Sequence, residues 1–371
     1  MGTTPIAPAF PEIAAHFQVP EQHAGLIITF YTLGGLALSL LEGVLADRFG
    51  RKLILLPSLI LFGAGGALCA TAATFHRLLF WRAVQGVGGA VAPFMYIVMV
   101  GDLYQGNMRT EAVGYAGAVR SVGTMVYPLA GGTLALMGWY WPFFLPLAAI
   151  PVAFAAALSL RTPEPKPRKP LQDYLRESWQ GMRQRRFAWL YVCYGTTAFM
   201  YFGAYLTHFS FRLRHSFHSS TLHIGALFSI SALAVAVTSW RLRPLKDRIG
   251  RHNLVTSSYL GFALGFLLIP LVGKEWLMVL PAIILGIAWG ANAPSIQDLL
   301  AGPVPLERRA VQLSLMGLSL RIGNAVGPVS EDSVLNAWGI DAVFYVAAIL
   351  SILMFVVALL TVRRQHQAQT Q

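Results

Sequence analysis

Charged residues are scarce in this 371-residue sequence, in which Asp, Glu, Lys and Arg together make up 12%. An average soluble protein carries about a quarter. Hydrophobic residues make up 56% of the chain. A soluble globular domain needs more charge on its surface, so this composition excludes that class and predicts an all-α integral membrane protein.

Cysteine is also rare, with only Cys69 and Cys193, each inside an apolar run. Two such residues supply neither a disulfide framework nor a cluster of metal ligands, so we expect packing roles and no metal site. The sequence lacks a paired nucleophile and base, and no strand precedes its glycine-rich stretches as a nucleotide-binding loop requires. We therefore expect no enzymatic activity and no bound cofactor.

Long apolar runs are what the sequence has in abundance. Crossing the hydrocarbon core takes roughly 17 to 25 residues. Eleven segments qualify, and two of them carry one arginine each: 24–41, 53–75, 83–101, 112–136, 140–160, 187–211, 224–240, 254–273, 276–297, 310–330 and 342–362. The sequence thus predicts a helical bundle over 1–160, a Pro-rich basic linker over 161–186, a second bundle over 187–362 and a tail over 363–371.

Lysine and arginine are distributed unevenly between the gaps. One alternating set of gaps, which includes the linker and the tail, holds 21 of the 28 basic residues. Because cytoplasmic loops retain positive charge during insertion, the linker and the tail are predicted to be cytoplasmic. The net charge of +12 is then an insertion signal rather than a nucleic-acid-binding face.

The first ten residues, MGTTPIAPAF, are apolar but too short to span a bilayer. They also lack the charged start of a signal peptide. An odd number of spans would place the two termini on opposite sides, so we expect that a first helix is largely missing from this chain.

Several residues recur at an offset of 200 positions. Leu45, Asp47, Arg48, Gly50 and Arg51 recur as Leu245, Asp247, Arg248, Gly250 and Arg251, and Gly86, Gly123 and Pro128 recur as Gly286, Gly323 and Pro328. Eight identities in register across three regions predict a duplicated helical bundle.

Three motifs carry a resemblance to a known family. The loop from Gly43 to Lys52 resembles the signature between helices 2 and 3 of the major facilitator superfamily. The run from Arg82 to Ala90 resembles that family's helix 4 motif, and the run from Gly123 to Gly132 is similar to its helix 5 antiporter motif, with Tyr127 departing from glycine.

The resemblance implies two six-helix bundles related by a pseudo-two-fold axis, in a monomeric multi-pass protein of a bacterial inner membrane. It further implies a secondary active transporter of the drug:proton antiporter branch, which exports lipophilic solutes by alternating access. The partners would be the lipid bilayer, a small-molecule substrate and protons, with a proton gradient in place of a cofactor and no nucleic acid.

The family's signature loop has two interpretations. Its charges could serve only insertion, or, as the resemblance implies, the loop could act as a conformational latch. The latch residues would be Asp47, Arg48, Gly43, Gly50 and Arg51 with Asp247, Arg248 and Arg251.

Polar residues inside the spans or at their ends are candidates for coupling or substrate binding. Arg82 could either extend to the lipid headgroups or face the interior, and Gln85 follows it on the same helix. Arg120 and Arg321 lie near the predicted bilayer midplane, where an unpaired cation is costly, so they could line or gate a cavity or form structural pairs that hold the bundle together. Tyr127 and Asn292 complete this set, and Gly123, Pro128, Gly323 and Pro328 are expected to bend their helices.

Glu331 and Asp332 replace the glycines of the first repeat and are the best proton-binding candidates, although a solvated loop end is an equal alternative. His208, with His215, His218 and His223, is expected in a solvated outer loop.

Two rival functions remain open. One is a permease for a sugar or an organic anion, in which Arg120 and Arg321 bind the anionic group. The other is a membrane protein without transport activity, either a sensor or a truncated inactive relative.

Overall fold

The computed structural model of the chain describes residues 2–39, 45, 48–104, 106–160, 185–301 and 306–369. These ranges are helical and contain no strand, which confirms the all-α prediction. Gly43, Asp47 and most of the predicted linker lie outside the described residues. The chain forms two compact units, Met1–Arg176 and Glu177–Gln371, and the division between them falls within the predicted linker.

The first unit is built around one long helix. Its helices are α1 (Phe10–Phe17), α2 (Leu26–Ser39), α3 (Arg51–Ala70), α4 (Phe75–Leu103), α5 (Gly106–Ala135) and α6 (Ala149–Ser159), with a 3-10 segment at Trp141–Ala148 before α6. Helix α4 packs against both α2 and α3. It begins after Thr74, whose hydroxyl accepts a hydrogen bond from the Arg77 amide, the usual way to satisfy a free amide at a helix start.

The second unit begins with a helix that changes type along its length. Helix α7 (Arg185–Met200) passes into a π-helical segment, Tyr201–His208, and continues as α8 (Phe209–Phe217). The remaining helices are α9 (Thr221–Trp240), α10 (Leu242–Ile249), α11 (Arg251–Leu271), α12 (Val279–Ala301), α13 (Leu306–Trp338) and α14 (Ile340–Gln369). Helix α7 packs on α13, α9 on α12, and α11 on both α12 and α14.

Six helical segments are long and apolar enough to cross a membrane, within the ranges that the structure describes. They are Arg51–Ala70, Trp141–Ser159, Thr221–Trp240, Arg251–Leu271, Glu275–Leu300 and Ile340–Thr361. The other predicted spans also coincide with helices. The chain is therefore a multi-pass membrane protein.

The repeat at an offset of 200 is visible in the backbone. Gly50 and Gly250 precede α3 and α11 with φ of 92° and 87°, a conformation that side chains strongly disfavour. An added Cβ at Gly86 would lie 1.9 Å from the Tyr31 carbonyl oxygen, and one at Gly286 would lie 2.3 Å from the oxygen of Ser231. Both pairs obey the same offset, so this close helix contact is present in both units.

Gly250→Ala should lower the free energy of unfolding by about 1–2 kcal/mol, because alanine is strained at this φ. The nearest atom to the added Cβ would be 3.9 Å away, so sterics contribute little. Thermal unfolding in detergent measures the effect. Gly317→Ala, a helical position with nothing within 4 Å of the added Cβ, is the control and should be neutral or stabilising. Equal stability of both variants would contradict the strain at Gly250.

Candidate functional site

His208 is at the centre of a buried group of titratable side chains in the second unit. It is the last residue of the π-helical segment, and its side chain is 0% exposed. The expectation of a solvated outer loop was therefore wrong for His208. The helix that begins at α7 extends to Phe217, past the end of the apolar run, because aromatic residues and Leu213 continue the buried face.

Two carboxylates flank the imidazole of His208. Its Nδ1 lies 3.5 Å from Glu331 Oε2, and its Nε2 lies 3.6 Å from Asp332 Oδ1. Nδ1 is also 3.1 Å from the Gly203 carbonyl oxygen. Because a carbonyl oxygen can only accept, this contact places a proton on Nδ1 and leaves Nε2 as the ring atom that gains or loses a proton.

Both carboxylates lie within a helix. Glu331 and Asp332 are inside α13, which continues to Trp338, and their side chains are 3% and 13% exposed. The alternative of a solvated loop end is therefore wrong. We call His208, Glu331 and Asp332 the acid–histidine cluster.

The π-helical segment accounts for the position of His208. The Thr207 hydroxyl donates to the Phe202 carbonyl at 2.8 Å, and His208 contacts the carbonyl five residues before it. A π-helical turn accommodates an additional residue, and such turns are frequent at functional sites. Gly203 lies on the same segment directly against Glu331, whose Oε2 would be 2.4 Å from an added Cβ.

Arg82 is the buried charged residue of the first unit. Its side chain is 0% exposed, so the lipid-headgroup alternative is wrong, and the functional role of Arg82 stays a prediction. Its Nε donates to the Ile27 carbonyl at 3.2 Å, and Nη1 donates to the Gly2 carbonyl at 2.9 Å. Nη1 also donates to Gln85 Oε1 at 2.6 Å. We call Arg82 and Gln85 the arginine–glutamine pair.

The remaining cavity candidates differ in exposure. Arg120 is exposed on α5, and Arg321 is half-buried on α13. Asn292 is buried in a polar network, in which its Nδ2 donates to Ser258 at 2.8 Å and its Oδ1 accepts from Thr197 at 3.3 Å. The amide of Asn292 is therefore committed to holding helices α7, α11 and α12 together.

The positions expected to bend helices lie within helices α5 and α13. Tyr127 and Gly123 are half-buried on α5, which continues through Pro128 to Ala135. Helix α13 likewise continues through Pro328. An added Cβ at Gly323 would lie 2.2 Å from the Gly195 carbonyl oxygen, so this glycine permits close packing of α7 on α13.

The repeated loop makes ion pairs in the second unit. Lys246 and Arg251 lie 2.8 and 3.3 Å from Asp298, at the end of α12. Asp247 and Arg248 are exposed, and so is Arg48 in the first unit, while Gly50 and Arg51 are half-buried. Asp47 and Gly43 are outside the described residues, and the latch stays a prediction.

Sequence reasoning missed His208 and Asp298 as partners. The sequence gives a weak indication for His208. It is an ionisable residue three positions before the end of a predicted span, where such a residue is expected to have a partner. Asp298 follows the span 276–297 directly, and only the packing of α12 brings it to Lys246.

The chain matches the model of the Major Facilitator Superfamily over residues 1–328 and 210–371. It is 26% identical to the bacillibactin exporter of Bacillus subtilis over 341 residues, which cover 88% of this chain and 85% of that protein. The multidrug transporter protein MdtP of the same organism is 33% identical over 133 residues, 35% of this chain and 25% of MdtP.

A solved structure agrees in fold. The nucleoside transporter NupG superposes with a TM-score of 0.80 over 97% of this chain and 95% of its own, at 12% sequence identity. The superposition supports a shared helical fold. An identity of 12% carries no information about the substrate.

Proposed function

Because the chain belongs to the major facilitator superfamily, we propose that it exports a small lipophilic solute in exchange for protons. The relatives support export, since a bacillibactin exporter and a multidrug transporter are among them. They also favour a transporter over an enzyme. The proposed mechanism is alternating access, in which solute and proton occupy the protein at different stages of the cycle.

The observation that carries proton coupling is the acid–histidine cluster. Buried ionisable residues within membrane-spanning helices are costly and typically mark ion or proton pathways. Here one imidazole lies within 3.6 Å of two carboxylates, and all three groups are largely shielded from solvent. The positioning of this cluster is difficult to explain by stability alone, because an apolar core is usually at least as stable as buried charges.

The charge of the cluster makes it suited to bind one proton. With His208 protonated and both carboxylates ionised, the three groups carry one net negative charge. Binding one further proton makes them neutral, which a low-dielectric environment favours. Arg212, one turn further along the same helix, pairs with Asp341 at 2.9 Å, so its charge is already matched.

The depth of the cluster suits proton entry from outside. His208 lies nine residues before the end of α8, and Glu331 lies seven before the end of α13. Both are thus roughly 10–14 Å below those helix ends, which the charge distribution predicts to be on the outer side. We propose a bacterial inner-membrane location with cytoplasmic linker and tail, and a monomer as the working unit.

Proton release from respiring everted vesicles tests the proposal. A fluorescent amine reports acidification of the vesicle interior, and a lipophilic solute is then added. We expect rhodamine 6G or 2-naphthoate to release protons from vesicles that contain the protein, and a protonophore to abolish the response. Vesicles without the protein are the control. Solute transport that is unchanged by the protonophore would overturn proton coupling, and no transport of either solute would overturn export of lipophilic solutes.

A further inference from the structure

The arginine–glutamine pair contains a buried cation with no acidic partner in the described part of the chain. Among the residues that the structure describes, no carboxylate lies within ion-pair distance of Arg82. Its charge faces the carbonyl oxygens of Gly2 and Ile27 and the rings of Tyr31, 4.5 Å away, and Phe143, 5.9 Å away. Carbonyl dipoles and aromatic faces offset only part of the cost of burying a guanidinium.

Two buried donors of the pair have no acceptor within the ranges that the structure describes. Arg82 Nη2 and Gln85 Nε2 are both shielded from solvent, and neither makes a hydrogen bond with a described residue. The identity of the Gln85 atoms follows from chemistry. Arg82 Nη1 can only donate, so the atom of Gln85 that it contacts must be the oxygen, and Nε2 must be the remaining donor. A buried donor without an acceptor is costly, so such atoms call for a ligand or water.

The missing partner must accept hydrogen bonds and carry negative charge. A carboxylate satisfies both requirements, because its two oxygens accept from separate donors and its charge pairs with guanidinium. The aromatic rings of Tyr31 and Phe143 beside Arg82 suit an apolar or aromatic body attached to that carboxylate.

We infer that the arginine–glutamine pair binds the carboxylate of a lipophilic organic anion, which is then the class of solute that the protein exports. The inference rests on the proposed function. The second repeat has Ala282 and Leu285 at the corresponding positions, so the two units have diverged in chemistry. One carries the anion site and the other carries the acid–histidine cluster.

Access to the site requires a conformational change. Arg82 is fully covered, and the Gly2 carbonyl occupies one position beside Nη1. The segment that contains Gly2 lies against α5, where an added Cβ at Gly131 would be 1.8 Å from the Pro5 carbonyl oxygen. Movement of this segment or of α2 opens the site, as alternating access demands of any substrate site.

Equilibrium binding of tritiated 2-naphthoate to purified protein, by scintillation proximity, tests the inference without a proton gradient. The competitors are 2-naphthoate, neutral 2-naphthamide and cationic 2-naphthylmethylammonium, which share one ring system. We expect 2-naphthoate to compete at least about tenfold better than the other two, as a charge-assisted hydrogen bond predicts. Equal competition by the amide or the ammonium compound would overturn the inference.

Variants locate the site. Arg82→Gln should weaken binding of 2-naphthoate at least about tenfold, and Arg82→Lys should weaken it less because the charge remains. Arg77→Gln is the control, since Arg77 is on the same helix but exposed. Unchanged binding by a monodisperse Arg82→Gln protein would overturn the inference, and if that variant does not fold, the comparison of the three competitors decides.

Three further outcomes separate the possible sources of the anion and separate the two proposals. Displacement of 2-naphthoate by millimolar chloride or inorganic phosphate would assign the site to an inorganic anion and overturn the inference. Preferential binding of 2-naphthoate by a protein that moves no protons would keep the anion site and remove the proposed proton coupling. Proton-driven export with no preference for the anion would keep the proposed proton coupling and remove the anion site.

Discussion

Glu331→Gln is expected to abolish solute-driven proton release in everted vesicles, lowering it at least about tenfold, while binding of 2-naphthoate stays within about twofold. Glutamine preserves the shape of the side chain but cannot ionise, so the acid–histidine cluster loses one of the groups that hold its proton. Binding persists because Arg82 belongs to the other unit. If Glu331 holds the coupling proton, the variant loses proton release but still binds 2-naphthoate. A general loss of folding would abolish both.

A second histidine–glutamate pair supplies the matched control. His223 Nδ1 lies 3.2 Å from Glu275 Oε1, but these side chains are 64% and 36% exposed. Glu275→Gln is the same substitution beside the same type of partner, and an exposed pair contributes little. We expect wild-type proton release from Glu275→Gln. Equal proton release by both variants would contradict a coupling role for Glu331.

Gly203→Ala tests the same cluster without removing a titratable group. The added methyl group would meet the end of the Glu331 side chain, which can move, rather than backbone. We expect the protein to remain folded with Glu331 displaced from His208, and proton release to fall. This result would assign coupling to the geometry of the cluster and not only to its composition.

Gly86→Ala is expected to cause the largest loss of stability, about 3 kcal/mol or more in the free energy of unfolding. The added Cβ would lie 1.9 Å from the Tyr31 carbonyl oxygen, a backbone atom that cannot rotate away. Helices α2 and α4 must therefore separate, and the Tyr31 ring moves away from Arg82. Thermal unfolding of the detergent-solubilised protein measures this loss.

The repeat supplies a parallel for Gly86 at Gly286, and Gly114 supplies a control. Gly286→Ala meets the Ser231 carbonyl oxygen at 2.3 Å and should destabilise the second unit in the same way. Gly114→Ala, on α5 with nothing within 4 Å of the added Cβ, should be neutral or slightly stabilising. Wild-type stability of Gly86→Ala would show that α2 and α4 do not pack as closely as described.

Most of the fold was predictable from the sequence, because each segment in lipid must satisfy its own backbone hydrogen bonds. Apolar length alone therefore predicts a helix, as it does for 53–75 and 342–362. The identities at an offset of 200 predicted the duplication, and the matching conformations of Gly50 and Gly250 agree with it. The family resemblance followed from contiguous motifs, which need no tertiary information.

The sites were only partly predictable. Arg82 and Gln85 were recognised because an ionisable or polar residue in an apolar run or at its end is expensive and must have a partner or a function. Glu331 and Asp332 were recognised because they replace the glycines of the first repeat. The π-helical turn at Tyr201–His208 could not be foreseen, since its backbone hydrogen bonds depend on packing against α13. That turn is what places His208 beside Glu331.

The sequence by itself determined that this protein is a helical, duplicated membrane transporter, because hydropathy, repeats and motifs are local properties of the chain. Only the tertiary structure decided which polar residues meet. It placed His208 between two carboxylates more than 120 residues away, and it left Arg82 without an acidic partner among the residues described. Such pairings depend on how helices pack, and helix packing is set by contacts between residues far apart in the sequence.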